Sequence, residues 1–316
     1  MNTSKPNHPQ IRDVTLRDGL QLAREILPTD HKLRFARTLL ANGIESIEIG
    51  AVVRPDRVPA MADTLDLLRQ LTGDELDKAW VLVPNLKGAQ MAIDAGARNI
   101  EYVLSVSDSH NRANVGRGTE ASLAELPAIT DAVTNVNGTL QVSLSTAFTC
   151  PFEGAIDPQW VLALLRDPRM AFPDSIALCD TIGQATPAEV TSLVGAASDY
   201  LGRYHWLFFH GHDTWGQGVA NSVAALAAGA DTVDAALGGL GGCPFAPGAS
   251  GNTALEDVLY ALRPEWLTPV RFRSLVATGQ ELLATLGEPQ RSRAAEGAIH
   301  STASHPWALG ETEADS

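Results

Sequence analysis

Two histidines, His210 and His212, stand two residues apart in the run WLFFHGH. On an extended strand alternate side chains point to the same side, so both imidazoles would face one direction. Two converging imidazoles, joined by a carboxylate such as that of Asp18, suit an octahedral Mg²⁺ or Mn²⁺, or a catalytic Zn²⁺. The pattern therefore predicts a metal site. The competing explanation is that one histidine caps a strand carbonyl and the other is solvated.

Asn252 ends the glycine-rich run GASGN and is a candidate fourth ligand. An Asn that precedes a helix is usually its N-cap, which would occupy this side chain. However, Thr253 and Glu256 form a T-x-x-E capping box one position later. If the helix uses that box, the amide of Asn252 is released from capping and is free to bind a cation.

Four further residues have types and positions that suit catalysis. Arg17 adjoins Asp18, and Glu48 lies inside an apolar run, where a carboxylate needs a partner such as Arg17. Asp180 follows the apolar run SIALC and suits either a site or a simple turn. Cys243 lies among glycines, which predicts a loop that moves over a site and carries a thiol acid or nucleophile.

The elements that would position these residues are short apolar runs that alternate with longer amphipathic ones. The predicted strands are 11–15, 44–50, 80–84, 100–106, 140–146, 175–179, 206–210 and 232–237. The predicted helices that follow them are 31–41, 63–71, 86–95, 122–134, 158–165, 187–200, 216–228 and 253–262. Eight strand–helix units over about 250 residues predict an α/β fold, a (β/α)8 TIM barrel, with catalytic residues where the strands end. A doubly wound sheet is the competitor, but no Gly-rich dinucleotide fingerprint follows the first strand.

Residues 1–287 are predicted to form this single domain, with an additional C-terminal helix over 270–286. Residues 288–316, rich in Ala, Ser, Glu and Gly, are predicted to be a flexible, disordered tail. The capping box at Thr186–Glu189 and the Asp157-Pro158 pair each predict a helix start.

Composition excludes several classes of protein. The 316 residues are 45% hydrophobic, and 23 basic against 37 acidic residues give a net charge of −14, which argues against nucleic acid as a partner. No apolar stretch reaches the roughly 20 residues of a bilayer span, so no membrane association is expected. The first ten residues resemble neither a secretory signal nor an organelle presequence. Three cysteines without a CxxC spacing fit reduced thiols, and a cytoplasmic location is expected.

Taken together, the polar clusters resemble the hydroxymethylglutaryl-CoA lyase family of the metal-dependent lyase and aldolase TIM barrels. The resemblance extends from about Asp13 to Leu262, nearly the whole predicted barrel, with the motifs in the family's order. These motifs are RDGLQ (17–21), PNLKG (84–88), DTIG (180–183), H-x-HDT-W-GQ-x-x-AN (210–221), GLGGCPFA (239–246) and GASGN-x-x-x-ED (248–257).

The resemblance implies a carbon–carbon lyase that cleaves a 3-hydroxy-3-methylglutaryl-CoA-like acyl-CoA thioester to acetyl-CoA and a keto acid. It implies one divalent cation, Mg²⁺ or Mn²⁺, on Asp18, His210, His212 and Asn252. In the same scheme Arg17 stabilises charge on the thioester oxygen, Glu48 orients Arg17, Asp180 supports proton transfer and Cys243 helps to protonate the acetyl carbon. His210 and Asp18 also count among the catalytic residues. A homodimer is expected from the family.

Four polar residues are candidates for contacts to coenzyme A. The candidates are Asn85, Lys87, Arg112 and Asn114, and each of them also fits an ordinary solvated side chain.

Some positions depart from the family pattern and make the expected acyl pocket more apolar. They are Leu22-Ala23, Ile49-Gly50-Ala51-Val52-Val53 and Ala177-Leu178-Cys179. We therefore hypothesise a related substrate, citramalyl-CoA or a longer branched 3-hydroxyacyl-CoA. Two other classes stay open, namely a condensing synthase of the isopropylmalate or citramalate type and a non-catalytic ligand-binding barrel. The GLGGCPFA loop argues against the synthase, and the complete set of implied metal ligands argues against the binder.

Overall fold

Eight parallel strands close into a barrel in the computed structural model, which describes residues 8–202, 205–242 and 251–300. Each strand pairs with its neighbours in chain order, and the first strand pairs with the last. The strands are β1 Gln10–Asp13, β2 Ser46–Ala51, β3 Ala79–Val83, β4 Asn99–Ser105, β5 Thr139–Ser145, β6 Ser175–Asp180, β7 Trp206–Gly211 and β8 Thr232–Ala235. The predicted TIM barrel is confirmed, and the doubly wound alternative, which is an open sheet, is excluded.

The strands are buried because helices cover the outside of the barrel while side chains fill its interior. Every residue of β4 and of β6 is buried, although charged and polar residues occur among them. Strands of a parallel barrel are apolar towards both layers, and this explains why near-continuous apolar runs predicted them. Two of the charged exceptions, Glu101 on β4 and Asp180 on β6, adjoin the site described below.

Each predicted helix is present. The helices longer than one turn are α1 Thr29–Ala41, α2 Thr64–Gln70, α3 Leu86–Asp94, α4 Asp108–Val115, α5 Thr119–Thr134, α6 Pro158–Leu165, α7 Pro187–Leu201, α8 Gly218–Ala227, α9 Leu255–Leu262, α10 Pro269–Leu286 and α11 Arg293–His300, and a single turn covers Gly73–Leu76. The caps at Thr186 and Asp157 are confirmed, because each side chain accepts a backbone N–H of the first turn. Of the helices in the described ranges, none combines the length and apolar character that a bilayer crossing requires.

The predicted capping box at Thr253 is wrong. Helix α9 begins later, at Leu255, with Ala254 as its N-cap. The Thr253 hydroxyl instead donates to the carbonyl of Gly211 at 2.8 Å, and Glu256 accepts hydrogen bonds from the backbone N–H of Gly238. Tertiary contacts to β7 and to the segment after β8 therefore replace the local cap, and they still leave Asn252 outside the helix.

The C-terminal helix over 270–286 is confirmed as α10, but the prediction of an unstructured tail from residue 288 is wrong for residues 293–300, which form α11. The carboxylate of Asp257 on α9 accepts hydrogen bonds from the Ser292 hydroxyl and from the backbone N–H groups of Arg293 and Ala294. Ala295 is buried. This distant cap and the small apolar face explain why a segment of bland composition folds. Residues 301–316 lie outside the described residues.

A π-helical turn over Thr15–Gly19 follows β1 directly. π-helical turns are rare and frequent at functional sites. Asp13 anchors this turn, because its carboxylate accepts the backbone N–H and the hydroxyl of Thr15. The turn presents Arg17 and Asp18 at the carboxyl end of the barrel.

Candidate active site and metal centre

The four predicted metal ligands meet at the carboxyl end of the barrel. Asp18 lies in the turn after β1. His210 lies near the end of β7, and His212 is the first residue after that strand. Asn252 is placed beside His212 by backbone pairing: Asp213 N–H donates to Gly251 O, and Thr253 N–H donates to Gly211 O. Residues remote in sequence are thus fixed by the strand ends that the fold brings together.

One ligand atom each from Asp18, His210 and His212 lies within 4.8 Å of the other two. The Nε2 atoms of the two imidazoles are 3.2 Å apart, and His212 Nε2 is 3.4 Å from Asp18 Oδ1. Nitrogen atoms that face each other this closely are arranged to share a cation. Burial alone would raise the pKa of Asp18, but the charge of Arg17 and the hydrogen bond with His212 hold it well below its usual value.

The amide of Asn252 completes this donor set. Its Nδ2 donates to Asp18 Oδ1 and to the carbonyl of Leu240, both at 2.9 Å. Its Oδ1 is buried and has no hydrogen-bond partner among the described residues. A buried carbonyl oxygen without a partner is destabilising unless something binds it. One carboxylate, two imidazoles and this amide oxygen fit a divalent cation.

Arg17 and Glu48 form the predicted pair. Arg17 Nε donates to Glu48 Oε2 at 2.7 Å, and Arg17 Nη1 donates to Asp18 Oδ2. Both residues are buried, with Glu48 completely enclosed. Burial raises the pKa of Glu48 well above its usual value against the opposing effect of Arg17. The guanidinium is therefore fixed beside the candidate metal ligands, where it can stabilise a developing negative charge.

Asp180 lies at the end of β6, as predicted, and is fully buried. Its two carboxylate oxygens accept the backbone N–H groups of Gln184 and Ala185, each at 3.0 Å. Burial raises the pKa of Asp180, partly offset by these bonds and by the nearby imidazoles. Asp180 therefore caps the turn after β6. Its carboxyl group also interacts with the imidazoles of His210 and His212, and its role in proton transfer stays a prediction.

Cys243 lies outside the described residues, but the segment that leads to it is described. Gly241 has φ +127°, and a Cβ there would come within 2.5 Å of Asn252 Nδ2. The predicted reason for the glycines was loop movement. At Gly241 the structure adds a second reason, since only a residue without a side chain lets the backbone approach the metal-site amide.

The four candidate contacts to coenzyme A lie beyond β3 and β4. Asn85 is the N-cap of α3, accepting the N–H of Gly88 at 2.8 Å, and Lys87 is exposed. Arg112 and Asn114 are exposed on α4, where Arg112 pairs with Asp108. They lie at the start of α3 and on α4, which follow the carboxyl ends of β3 and β4, and their role stays a prediction.

The sequence analysis missed three charged residues in the barrel interior: Arg12 on β1, Glu101 on β4 and Asp234 on β8. Each is buried, and Asp234 Oδ2 is 3.1 Å from His210 Nδ1. The signal that identified Glu48, a charge inside an apolar strand, was also present at these positions. Applied to every strand, it would have found them.

Comparison with known proteins gives one consistent result. Residues 8–281 match the model of the family described as HMGL-like. The (R)-citramalyl-CoA lyase of Chloroflexus aurantiacus is 37% identical over 290 residues, which cover 88% of this chain and 91% of that protein. The hydroxymethylglutaryl-CoA lyase YngG of Bacillus subtilis is 34% identical over 291 residues, 91% of this chain and 96% of that protein. The structure of an HMG-CoA lyase from Acinetobacter baumannii with coenzyme A and 3-methylmalate has a TM-score of 0.83 at 34% identity, covering 91% of this chain and 94% of that one.

Proposed function

This chain belongs to the HMGL-like family of lyases, and on that premise we propose that it is a divalent-metal-dependent carbon–carbon lyase acting on a 3-hydroxyacyl-CoA thioester. The products would be acetyl-CoA and a keto acid, which is acetoacetate if the substrate is 3-hydroxy-3-methylglutaryl-CoA. The observation that carries the proposal is the cluster of Asp18, His210 and His212, with the buried Arg17–Glu48 pair in contact with it.

The proposed reaction is a retro-Claisen cleavage. A cation bound by Asp18, His210, His212 and Asn252 would lower the pKa of the C3 hydroxyl of the substrate. Loss of the hydroxyl proton to a base lets the C2–C3 bond break, which leaves a keto group at C3 and the enolate of acetyl-CoA.

Protein groups are proposed to manage charge and protons in this reaction. Arg17, held by Glu48, stabilises the negative charge on the thioester oxygen, an interaction of about 3 kcal/mol in comparable sites. Asp180 supports proton transfer beside the imidazoles, and Cys243 helps to deliver a proton to the acetyl carbon. Donors that are already oriented act without rearrangement during the reaction, and the short Arg17–Glu48 contact supports this assignment.

Among substrates, we favour citramalyl-CoA or a longer branched 3-hydroxyacyl-CoA. The support is the apolar character of the segments that depart from the family pattern, together with the 37% identity to a citramalyl-CoA lyase. A finding that hydroxymethylglutaryl-CoA is turned over at least as well as these analogues would overturn this preference.

The finer features are proposed from the family resemblance. The cation would be Mg²⁺ or Mn²⁺, since two protein oxygens and two imidazoles, with oxygens of water and substrate completing the shell, suit octahedral coordination. Asn85, Lys87, Arg112 and Asn114 would contact coenzyme A, and the protein would act as a cytoplasmic homodimer. The complex of a relative with coenzyme A supports the thioester part of this proposal.

Product analysis tests the proposed function. The protein, loaded with Mg²⁺ or Mn²⁺, is incubated with a panel of 3-hydroxyacyl-CoA esters, and acetyl-CoA and keto acid are quantified. Equal amounts of both products from at least one ester are expected. In a parallel incubation with acetyl-CoA, release of free CoA that depends on an added 2-oxo acid would instead show a condensing synthase. Cation binding without turnover of any ester, in either direction, would indicate a ligand-binding barrel.

A further inference from the structure

The guanidinium of Arg12 occupies the centre of the barrel interior. Arg12 is fully buried on β1, and its guanidinium carbon lies 5.5 Å from the Trp80 ring and 4.9 Å from the Phe208 ring. Its partners Glu101 and Asp234 come from β4 and β8. Since β1 and β4 are not neighbours in the barrel, the contact with Glu101 crosses the interior. A wholly buried Arg with two carboxylate partners is expensive to desolvate and calls for an explanation beyond packing.

Hydrogen bonds through Asp234 connect Arg12 to the metal site. Arg12 Nε donates to Asp234 Oδ1 at 2.9 Å, and Arg12 Nη2 donates to Asp234 Oδ2 at 2.7 Å. The same Oδ2 is 3.1 Å from His210 Nδ1. An ionised carboxylate only accepts, so His210 Nδ1 carries the hydrogen, and Nε2 keeps its lone pair towards Asp18 and His212. The two hydrogen bonds from Arg12 hold the Asp234 carboxylate in place against His210 Nδ1.

Contacts through Glu101 and Glu48 connect Arg12 to Arg17. Arg12 Nη1 is 2.9 Å from Glu101 Oε2, and Glu101 Oε1 accepts the Ser143 hydroxyl at 2.6 Å. The carboxyl groups of Glu101 and of Glu48, the partner of Arg17, also interact. Glu48 Oε1 is buried and has no hydrogen-bond donor among the described residues, and a proton shared between the two carboxyl groups would satisfy it.

We propose that Arg12 is a positioning residue that holds both halves of the site, the cation-binding imidazole of His210 through Asp234 and the charge-stabilising Arg17 through Glu101 and Glu48. This inference rests on the proposed function for its activity measurement, but not for its cation-binding measurement. It assigns roles to Arg12, Glu101 and Asp234, none of which is a candidate ligand or touches the substrate in the mechanism above.

The two sides make separate predictions. In Asp234→Asn the amide N–H₂ faces a donor in either orientation, the guanidinium of Arg12 or the N–H of His210 Nδ1. The change therefore breaks either the link to Arg12 or the hydrogen bond that fixes the tautomer of His210. We expect the Kd for Mn²⁺, measured by calorimetry, to rise at least tenfold, as for other carboxylates behind a metal-bound histidine. Replacing Glu101→Gln should leave this Kd within twofold and lower kcat about tenfold with little change in KM, because Arg17 acts on charge that develops in the transition state.

Gln141→Met provides the matched control. Gln141 Oε1 accepts from Arg12 Nη1 at 3.3 Å, and Gln141 Nε2 donates to Ser143 Oγ at 3.0 Å. The change removes both contacts but leaves the hydrogen bond from Ser143 to Glu101 and the link from Arg12 to Asp234. This variant should change Kd and kcat by less than twofold. Arg12→Lys keeps the charge but loses the planar fork, so it should impair both Kd for Mn²⁺ and kcat. If Arg12→Lys unfolds, the Asp234 and Glu101 variants decide.

Two results would overturn the inference. The first is an unchanged Kd for Mn²⁺ in Asp234→Asn. The second is that, across Asp234→Asn, Glu101→Gln and Gln141→Met, the changes in Kd and kcat only follow the loss of thermal stability. Failure of the proposed function is a different result. Wild-type protein would then cleave no thioester, and the Mn²⁺ affinities of the Asp234 and Glu101 variants would still decide the tautomer role.

Discussion

Asn252 joins three parts of the barrel mouth with a single amide group. Its Nδ2 contacts Asp18 from the β1 turn and the carbonyl of Leu240 beyond β8, while its backbone pairs with His212. The sequence pointed to Asn252 through a capping box that does not form, although Asn252 does lie beside Asp18 and His212. What frees its side chain is tertiary pairing, which no local pattern contains.

Cys243 is the residue whose replacement separates chemistry from metal binding. We expect Cys243→Ser to lower kcat by about 10²-fold, a typical loss for a positioned acid or base, since a hydroxyl is a much weaker acid than a thiol. Metal content, measured by elemental analysis, should not change, because Cys243 is not among the proposed ligands. Cys150→Ser is the matched control, since Cys150 is a buried thiol that contacts Ser107. Undiminished turnover in Cys243→Ser would remove the thiol from the mechanism.

The contacts of Arg12 show the limit of sequence analysis at this scale. The Arg17–Glu48 pair was predicted because the two residues end neighbouring strands, whose proximity follows from the fold class. Arg12 and Glu101 meet across the barrel interior, and that contact depends on strand stagger and side-chain length. Single-strand patterns show that such charges are buried, but they do not show which ones meet.

The eight strands and their helices could be predicted because strands that are buried on both faces have almost continuously apolar sequences. Helix α4 was missed because its sequence, DSHNRANV, is almost wholly polar. It is held instead by the Ser107 cap and by the Asn111 side chain, which accepts the N–H of Ser105 and donates to Ser122. A helix fixed by side-chain hydrogen bonds has no hydrophobic periodicity to reveal it.

The segment after β8 should not tolerate a side chain at Gly241. Gly241→Ala brings a Cβ to 2.5 Å from Asn252 Nδ2 at a φ of +127°, so either the amide or the backbone must move. We expect the Kd for Mn²⁺ to rise at least tenfold. Gly116→Ala is the control, because Gly116 has φ +77° with nothing within 4 Å of an added Cβ. It should lose about 1 kcal/mol of stability and keep its Mn²⁺ affinity. Equal Mn²⁺ affinities in the two variants would contradict this reading of Gly241.

Glu256 on α9 should make stability fall with rising pH. Burial raises its pKa from 4.5 to about 8, and it accepts the N–H of Gly238. The folded state thus binds the proton more tightly than the unfolded state, so the stabilisation is complete below about pH 4.5 and is lost as pH rises through 8.

Glu256→Gln should therefore reduce the decline in the free energy of unfolding between pH 5 and pH 8 by roughly 1 kcal/mol per pH unit. Denaturant titrations at pH 5, 6.5 and 8 would measure it. Asp13, with a pKa raised by burial to about 7, contributes a slope of the same sign that the variant retains. Parallel pH profiles for wild type and variant would refute the role of Glu256.

The interior of the whole barrel carries more negative than positive charge. In the connected network two guanidinium groups, Arg12 and Arg17, face the carboxyl groups of Asp18, Glu48, Glu101 and Asp234. With one proton on the Glu48–Glu101 pair, the network keeps a net negative charge, which a divalent cation at the mouth would offset.

Removal of the cation should therefore lower thermal stability as well as activity. At a Mn²⁺ concentration of one hundred times Kd, binding to the folded state alone contributes about 2.7 kcal/mol. Dialysis against a chelator should lower Tm, and Mn²⁺ should restore it in a concentration-dependent way, as followed by calorimetry. His212→Ala should abolish the response to Mn²⁺. A Tm that is the same with and without the chelator would show that no cation binds at this cluster.

The closure of the barrel between β1 and β8 has a consequence for biosynthesis. Asp18 and Asn252 are 234 positions apart in the chain, and their side chains meet only when the first strand pairs with the last. A ribosome that has produced half of the polypeptide has made one ligand and none of the others. The ion can therefore stabilise the fold only late, once translation has passed the final glycine-rich segment and the barrel has closed.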